Sequence, residues 1–151
     1  MNVTFGQHTI DDQKAFFSLE LGSSPEELNG HLQLDLTISY GLKYYKYRSK
    51  DLKTIYGLKV HEINLGFRED KLEYIDIYYD KLDHDEFESL ISYLETSYGS
   101  SVEFQPAEKG ITEAVRWQGK TTVLDVYRYG SEVIDQEDKN KSVVAISRPL
   151  K

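Results

Sequence analysis

Residues 32–44 read LQLDLTISYGLKY, and this stretch decides the fold that the sequence predicts. Every second position is apolar or aromatic, namely Leu32, Leu34, Leu36, Ile38, Tyr40, Leu42 and Tyr44. Only a β-strand places all such alternate residues on one face, because its side chains repeat every two residues. The stretch therefore predicts a long strand, running to about Arg48, in an antiparallel sheet that has one polar face.

The clearest helix signal covers residues 83–98. Asp83 followed by Glu86 predicts a capping box, in which each side chain accepts a hydrogen bond from the backbone N–H of the other residue. Gly99 is placed to end the helix. Five apolar residues recur at helical spacing between these limits: Phe87, Leu90, Ile91, Leu94 and Tyr98. We expect this apolar stripe to pack on the apolar face of the sheet.

A second, shorter helix is predicted at about 24–30, because Ser24, Pro25 and Glu27 form a helix-start signal. Alternating patterns also predict two hairpins and a closing strand, at Val60–Phe67 with Leu72–Asp80, at Thr112–Trp117 with Lys120–Tyr129, and at Ser142–Ser147. The expected fold class is α+β. It consists of one mainly antiparallel sheet of six to eight strands, with the long helix at about 83–98 and the short helix at about 24–30 packed on it.

The length of 151 residues suits a single domain that spans 1–151. The two helix-start signals are each followed by strands, which leaves open a weak internal duplication of about 22–80 and 81–149. This order of helix and hairpin resembles small bacterial modules such as the beta-lactamase-inhibitor-protein-like and outer-membrane-assembly lipoprotein folds. The stretches that carry the resemblance are Gly22-Ser-Ser-Pro-Glu-Glu27, Tyr98-Gly99 and Trp117-Gln-Gly119. It concerns element order, implies no membership, and transfers no functional residue.

The amino-acid composition excludes or disfavours several classes of function. The chain has no cysteine, which excludes thiolate metal sites, thiol catalysis and disulfides. The formal net charge of −8 makes nucleic-acid binding an unfavoured function, although residues 43–53 carry five basic side chains. Neither a signal peptide nor an 18-residue apolar stretch is present, so we expect no membrane span and a cytoplasmic location by default, with a secreted or periplasmic mature form left open.

Catalytic and metal-binding motifs are not found. The four histidines (His8, His31, His61 and His84) lack helical metal-ligand spacing, and the chain contains no nucleophile elbow or phosphate-binding loop. Asp76 and Asp125 lie in mid-strand, where a carboxylate is more often a residue of the wet face than half of an acid–base pair. We therefore predict no catalytic residue, no metal and no cofactor, and regard an enzyme as the less favoured class.

Tyrosine is the unusual residue type, with twelve copies. Tyr74, Asp76 and Tyr78 alternate on a predicted solvent face, and Tyr45 and Tyr47 form a second set. Tyrosine offers a large contact area at low entropic cost, which is typical of recognition surfaces. We therefore favour a non-enzymatic module that recognises a protein partner through an acidic, tyrosine-bearing surface. Coverage by another layer, or tyrosine pairing within the sheet, would also explain these residues.

Two further functions stay open at this stage. One is a small-molecule or enzymatic cleft between helix and sheet, with Trp117, Arg116, Arg128 and His61 as lining residues. In that interpretation Trp117 forms a stacking or cation–π platform, whereas the alternative role for it is a core anchor beside a hairpin turn. The other function is a homo-oligomer, for example a homodimer, that uses the tyrosine face on itself.

Overall fold

The computed structural model describes residues 9–13, 15–28, 31–38, 41–106, 108–130 and 140–149, without the side chains of 34–38. The first half of the described chain contains β1 (Ala15–Phe16), β2 (Leu19–Glu20), β3 (Leu32–Ile38), β4 (Leu42–Tyr47), β5 (Thr54–Ile55), β6 (Leu58–Arg68) and β7 (Lys71–Tyr79). The second half contains α1 (His84–Tyr98), β8 (Val102–Glu103), β9 (Ile111–Gln118), β10 (Val123–Tyr129) and β11 (Ser142–Ser147). Short 3-10 helices lie at Ile10–Asp12, Pro25–Leu28 and Lys50–Leu52.

A nine-stranded antiparallel sheet dominates the molecule. Its strand order is β3-β4-β6-β7-β11-β10-β9-β8, with β5 paired to β6, and β1 and β2 form a separate small hairpin. The prediction of a mainly antiparallel sheet with one long helix is confirmed, but the predicted count of six to eight strands is too low. The count rises because the stretch predicted as one long strand forms two strands, β3 and β4, and because β5 has only two residues, too few for an alternating pattern to be read from the sequence.

The long helix α1 begins and ends where its capping signals predict. The backbone N–H of Glu86 donates to Asp83 Oδ1 at 2.8 Å, and the N–H of Asp83 donates to Glu86 Oε1 at 3.1 Å. The apolar stripe is buried against the sheet through Phe87, Leu90, Ile91 and Leu94. Within the described residues, no helix is long and apolar enough to cross a bilayer.

The structure corrects the prediction of a short helix at about 24–30. Residues Pro25–Leu28 form a single 3-10 turn, and an α-helix of this length would not offset its own nucleation cost. The preceding chain is also held to the sheet, because Gly22 N–H donates to Leu72 O and Leu72 N–H donates to Ser23 O, each at 2.8 Å. The helix–hairpin–helix–hairpin order therefore does not hold, and the internal duplication stays a prediction.

The long strand predicted from Leu32 to about Arg48 is also corrected. Ile38 pairs with Leu42, so the chain reverses between them and the stretch forms a β3–β4 hairpin. Gly41 adopts a φ of +75°, a left-handed conformation that glycine adopts without steric cost and that suits a hairpin turn. A single alternating pattern thus extends across two antiparallel strands.

The sheet has two unlike faces. The face toward α1 carries the main core, which includes Leu65, Ile75, Ile77, Leu124 and Ile146, all fully buried. Trp117 belongs to this side, is 4% exposed, and donates its Nε1–H to Gly99 O at 2.8 Å. Its role is therefore the core anchor rather than the pocket platform.

Candidate functional site

The face of the sheet turned away from α1, called here the far face, carries three rows of side chains set by strand register. Asp76 lies on it, because its neighbours Ile75 and Ile77 point into the core and strand side chains alternate. The middle row is polar and runs Lys46, Asn64, Asp76, Ala145, Asp125, Arg116 across successive strands. The rows on either side bring tyrosines from β4, β7 and β10 beside this polar row: Tyr44 and Tyr74 on one side, Tyr78 and Tyr127 on the other.

Tyr44 and Tyr74 form the first wall of the far face. Their ring centroids are 6.4 Å apart, with Gly66 between them in the register. A Cβ atom at Gly66 would lie 2.9 Å from the Tyr44 ring and 3.0 Å from the Tyr74 ring. Glycine at this position therefore lets both rings lie close to the sheet backbone.

The second wall is a small apolar cluster around Tyr78, Tyr127 and Tyr129. The rings of Tyr127 and Tyr129 meet edge to face at 5.6 Å, and Val143 beneath them is fully buried. Tyr129 donates its hydroxyl to Glu108 Oε2 at 3.0 Å, which ties the loop before β9 to this wall. Aromatic walls thus flank the middle row on both sides.

Most acids on and beside the far face have a cation of their own. Arg116 binds Asp125 through two hydrogen bonds of 2.7 and 2.9 Å. The Lys46–Glu62 and Arg68–Glu73 ion pairs measure 3.2 and 3.1 Å respectively. The charges of this face are therefore mixed and largely paired, unlike the acidic surface that the sequence predicts.

Asp76 differs from these acids. It is partly buried between the tyrosine walls, and among the described residues it has neither an ion pair nor a hydrogen bond for its carboxylate. Desolvation raises the pKa of Asp76 from 3.8 to about 7. Burial and the nearby Asp76 charge together raise the pKa of Tyr44 to about 12 and also raise the pKa of Tyr127.

Asn64 supplies a second polar atom without a partner. It lies directly opposite Asp76 on β6, and its Oδ1 is buried and accepts no hydrogen bond from the described residues. Its Nδ2–H donates to Glu62 Oε2 at 3.3 Å, so the amide is oriented by the Lys46–Glu62 pair. The partly buried Asp76 carboxylate and the buried Asn64 Oδ1 thus lie side by side without a donor from the described residues, and an unsatisfied buried atom such as Asn64 Oδ1 is unusual.

The five tyrosine-face residues named from the sequence do not form one surface. Tyr74, Asp76 and Tyr78 share the far face, and each is partly buried. Tyr45 and Tyr47 pack against the main core on the α1 side, where Tyr45 meets Phe67 edge to face at 5.4 Å. The β4–β6 register sets this side, because Tyr45 pairs with the buried Leu65.

The structure does not bring the four predicted pocket residues together. Trp117 is in the core, and Arg128 lies over the Phe87 ring at 5.2 Å on the α1 side. Arg116 lies on the far face, and His61 is an exposed residue whose Nδ1 is 3.0 Å from Asp80 Oδ1.

The described part of the chain has cavities on both faces of the sheet, and one of them touches the helix–sheet core at Phe87 and Ile91. One cavity, of about 760 Å³, is lined by residues 48–53 together with His31, Tyr47 and residues 60–63. A second, of about 370 Å³, lies on the far face beside the Arg116–Asp125 pair, where Arg116 stacks over Phe104 at 4.3 Å. A third, of about 260 Å³, lies at the margin between α1 and β9.

No protein-family model, curated protein or solved structure matches this chain. The described residues contain no group of three or more histidine, aspartate or glutamate side chains arranged to hold a metal ion. The geometry that remains as a candidate site is the far face, with its aromatic walls and the acceptor pair of Asp76 and Asn64. Its chemistry is that of binding a hydrogen-bond donor.

Proposed function

We propose that this protein is a non-enzymatic recognition module that binds a protein partner through the far face of its sheet. The observation that carries this proposal is the Asp76 carboxylate, which lies partly buried between tyrosine walls without a hydrogen-bond partner among the described residues. An unpaired carboxylate at such a position weakens the fold, because its desolvation is not offset by a counter-charge. Such a destabilising site beside tyrosine rings is typical of a binding surface, because a partner could supply the hydrogen bonds that the Asp76 carboxylate lacks in the free protein.

The amino acids of the far face support binding rather than catalysis. Asp125 and Glu62 are held in ion pairs with Arg116 and Lys46, so Asp76 is the unpaired carboxylate among the described side chains of the middle row. General acid–base catalysis on a substrate commonly needs two groups with separated pKa values, whereas recognition needs only a complementary surface. Tyrosine walls supply such a surface at low entropic cost.

The test is a comparison of partner retention by two tyrosine variants. Tyr74→Ala combined with Tyr78→Ala removes one ring from each wall of the far face. Tyr93→Ala is the matched control, because Tyr93 is 54% exposed on the outer side of α1. Wild type and both variants are immobilised and exposed to an extract of the host cells. A protein that wild type and Tyr93→Ala retain but the double variant does not is then purified and titrated by calorimetry.

We expect the double variant to bind the purified partner at least about tenfold more weakly than wild type, which is about 1.4 kcal/mol. Circular dichroism and urea unfolding confirm that each variant is folded before binding is compared. Equal binding by the double variant and by Tyr93→Ala would refute the proposal. A double variant that fails to fold would be replaced by Tyr74→Phe with Tyr78→Phe, which keeps the rings and removes the hydroxyl groups.

The alternative of a small-molecule or enzymatic site has one supporting observation, the cavity of about 760 Å³ beside residues 48–53. This cavity lies at the basic loop and not between helix and sheet. A thermal-shift screen of metabolites tests it, since a ligand present at 100 times its dissociation constant adds about 2.7 kcal/mol of stability. Substitution of Lys50 and Lys53 by alanine would remove the shift if this cavity were the site.

A further inference from the structure

We infer that Asp76 and Asn64 together bind one cationic side chain, of lysine or arginine, that a partner polypeptide inserts between the tyrosine walls. The inference rests on the proposed function and names the chemistry of the partner. Both unsatisfied groups of the site are acceptors, the Asp76 carboxylate and Asn64 Oδ1. Ammonium and guanidinium groups carry several N–H donors and no acceptor, so they match two adjacent acceptors.

The register places these acceptors within reach of one cation. Asn64 and Asp76 are directly opposite each other on β6 and β7, where Cβ atoms are typically about 4.5–5.5 Å apart. On the other side of Asp76 the register holds Ala145, whose side chain has no polar atom and therefore offers the carboxylate no hydrogen bond. A single ammonium group can therefore contact both acceptors.

The aromatic walls favour the same ligand. Tyr74 and Tyr78 flank Asp76 on its own strand, and Tyr44 and Tyr127 approach from β4 and β10 closely enough for the Asp76 charge to raise the pKa of each phenol. A cation held near the faces of tyrosine rings gains a cation–π attraction that a neutral group of the same size lacks. This arrangement selects charge as well as shape.

The ion pairs of the neighbouring acids also favour a cation as the ligand of Asp76. Glu62 is paired with Lys46, and Asp125 is paired with Arg116. Asp76 lies between these two pairs and has no ion pair of its own among the described residues. A cation brought by a partner would complete the pattern that the flanking pairs already follow.

Binding should compete with protonation of Asp76. Because the pKa of Asp76 is about 7, its carboxyl group changes from mostly protonated at pH 6 to mostly ionised at pH 8. Only the ionised form attracts a cation. Titratable and charged side chains surround Asp76 on its own strand and on β4, β6, β9 and β10. They are Tyr74, Tyr78, Tyr44, Lys46, Glu62, Arg116, Asp125 and Tyr127. Lys46 and Arg116 are paired with Glu62 and Asp125, and the pKa values of Tyr44 and Tyr127 are raised.

The experiment titrates wild-type protein at pH 8 with three small probes followed by NMR. The probes are the N-acetyl methylamides of lysine, arginine and norleucine, and the signals followed are the ring resonances of Tyr74 and Tyr78 and the carboxyl carbon of Asp76. Asp76→Asn is the test variant, because it keeps the size of the side chain and removes its charge. Asp85→Asn is the matched control, since Asp85 is an exposed acid on α1.

We expect saturable shifts with the lysine or the arginine probe in wild type and in Asp85→Asn. Affinity should fall at least about tenfold in Asp76→Asn, and should fall in wild type as the pH is lowered from 8 to 6. Equal binding of the norleucine probe, unchanged affinity in Asp76→Asn, or the lack of any saturable shift would overturn the inference. If the probes fail while the tyrosine double variant still loses its protein partner, the recognition function stands and the cationic chemistry is refuted.

Discussion

The carboxylate of Asp76 affects the stability of the folded chain in a direction that its raised pKa fixes. The folded protein keeps a proton on Asp76 up to about pH 7, whereas the unfolded chain loses it near pH 3.8. Between these values the folded state binds more protons, so the free energy of unfolding decreases as pH rises through this window. Above pH 7 the full cost of the charged, partly buried carboxylate is present.

Asp76→Asn is therefore expected to stabilise the protein at pH 8. A shift from 3.8 to about 7 sets a ceiling of about 4 kcal/mol, and partial exposure reduces the expected gain to about 1–3 kcal/mol. Urea unfolding at pH 8 and at pH 3.5 measures this gain, which should vanish at the lower pH. Asp85→Asn, made at an exposed helix position, should show no gain at either pH.

A lower stability of Asp76→Asn at pH 8 would contradict this account, because it would mean that the charged carboxylate is stabilised in the folded state. The sequence indicates Asp76 as a mid-strand residue of a wet face between two tyrosines; in the structure it lies in mid-strand between Tyr74 and Tyr78 but is partly buried. Its partner Asn64 is not predictable from alternation. The β6–β7 register shifts by one residue between Gly66 and Phe67, and this bulge brings Asn64 rather than its neighbour opposite Asp76.

Among the secondary-structure elements, those with local signals are the ones that the sequence predicts well. The helix α1 has its cap, its box residue and its apolar stripe in one continuous segment. The β6–β7 hairpin is similarly local, and its turn residues Glu69 and Asp70 adopt φ values of 52° and 60°, which suit a two-residue hairpin turn. The β3–β4 hairpin is missed because its alternation continues across the turn, so no break in the pattern marks the reversal.

The contribution of the α1 capping residue Asp83 to stability can be measured. Asp83→Ala removes the acceptor of the 2.8 Å hydrogen bond from Glu86 N–H and should reduce the free energy of unfolding by about 1 kcal/mol. Urea unfolding followed by circular dichroism measures the loss. Glu88→Ala, at an exposed position inside the same helix, is the control and should change stability by less than about 0.5 kcal/mol. Equal effects of the two substitutions would show that the cap contributes nothing.

On the scale of the whole molecule, the distribution of exposed apolar side chains argues against self-association. In the described ranges the large hydrophobic side chains that are exposed are Tyr93, at 54%, and Val102, at 68%. They belong to different elements, α1 and β8, whereas a stable dimer interface needs a contiguous apolar patch. The far face is also interrupted by its row of paired charges.

We therefore expect a monomer of about 17.5 kDa in solution. Size-exclusion chromatography with light scattering at micromolar concentrations and above measures the mass. A dimer that dissociates in Tyr74→Ala with Tyr78→Ala, and persists in Tyr93→Ala, would contradict this expectation. It would favour the homo-oligomer hypothesis, in which a second copy covers the far face.

The position of β11 in the sheet has a consequence for when recognition can begin. This strand comes after all the other described strands in the chain, yet it lies in the centre of the sheet, where Ala145 pairs with Asp76 on one side and Asp125 on the other. During synthesis on the ribosome, the strands before it emerge without the central element that joins them, and such distant pairings form late. A nascent chain would therefore present no finished far face until residue 147 had left the exit tunnel, so the recognition proposed for this face could begin only after the sheet is complete.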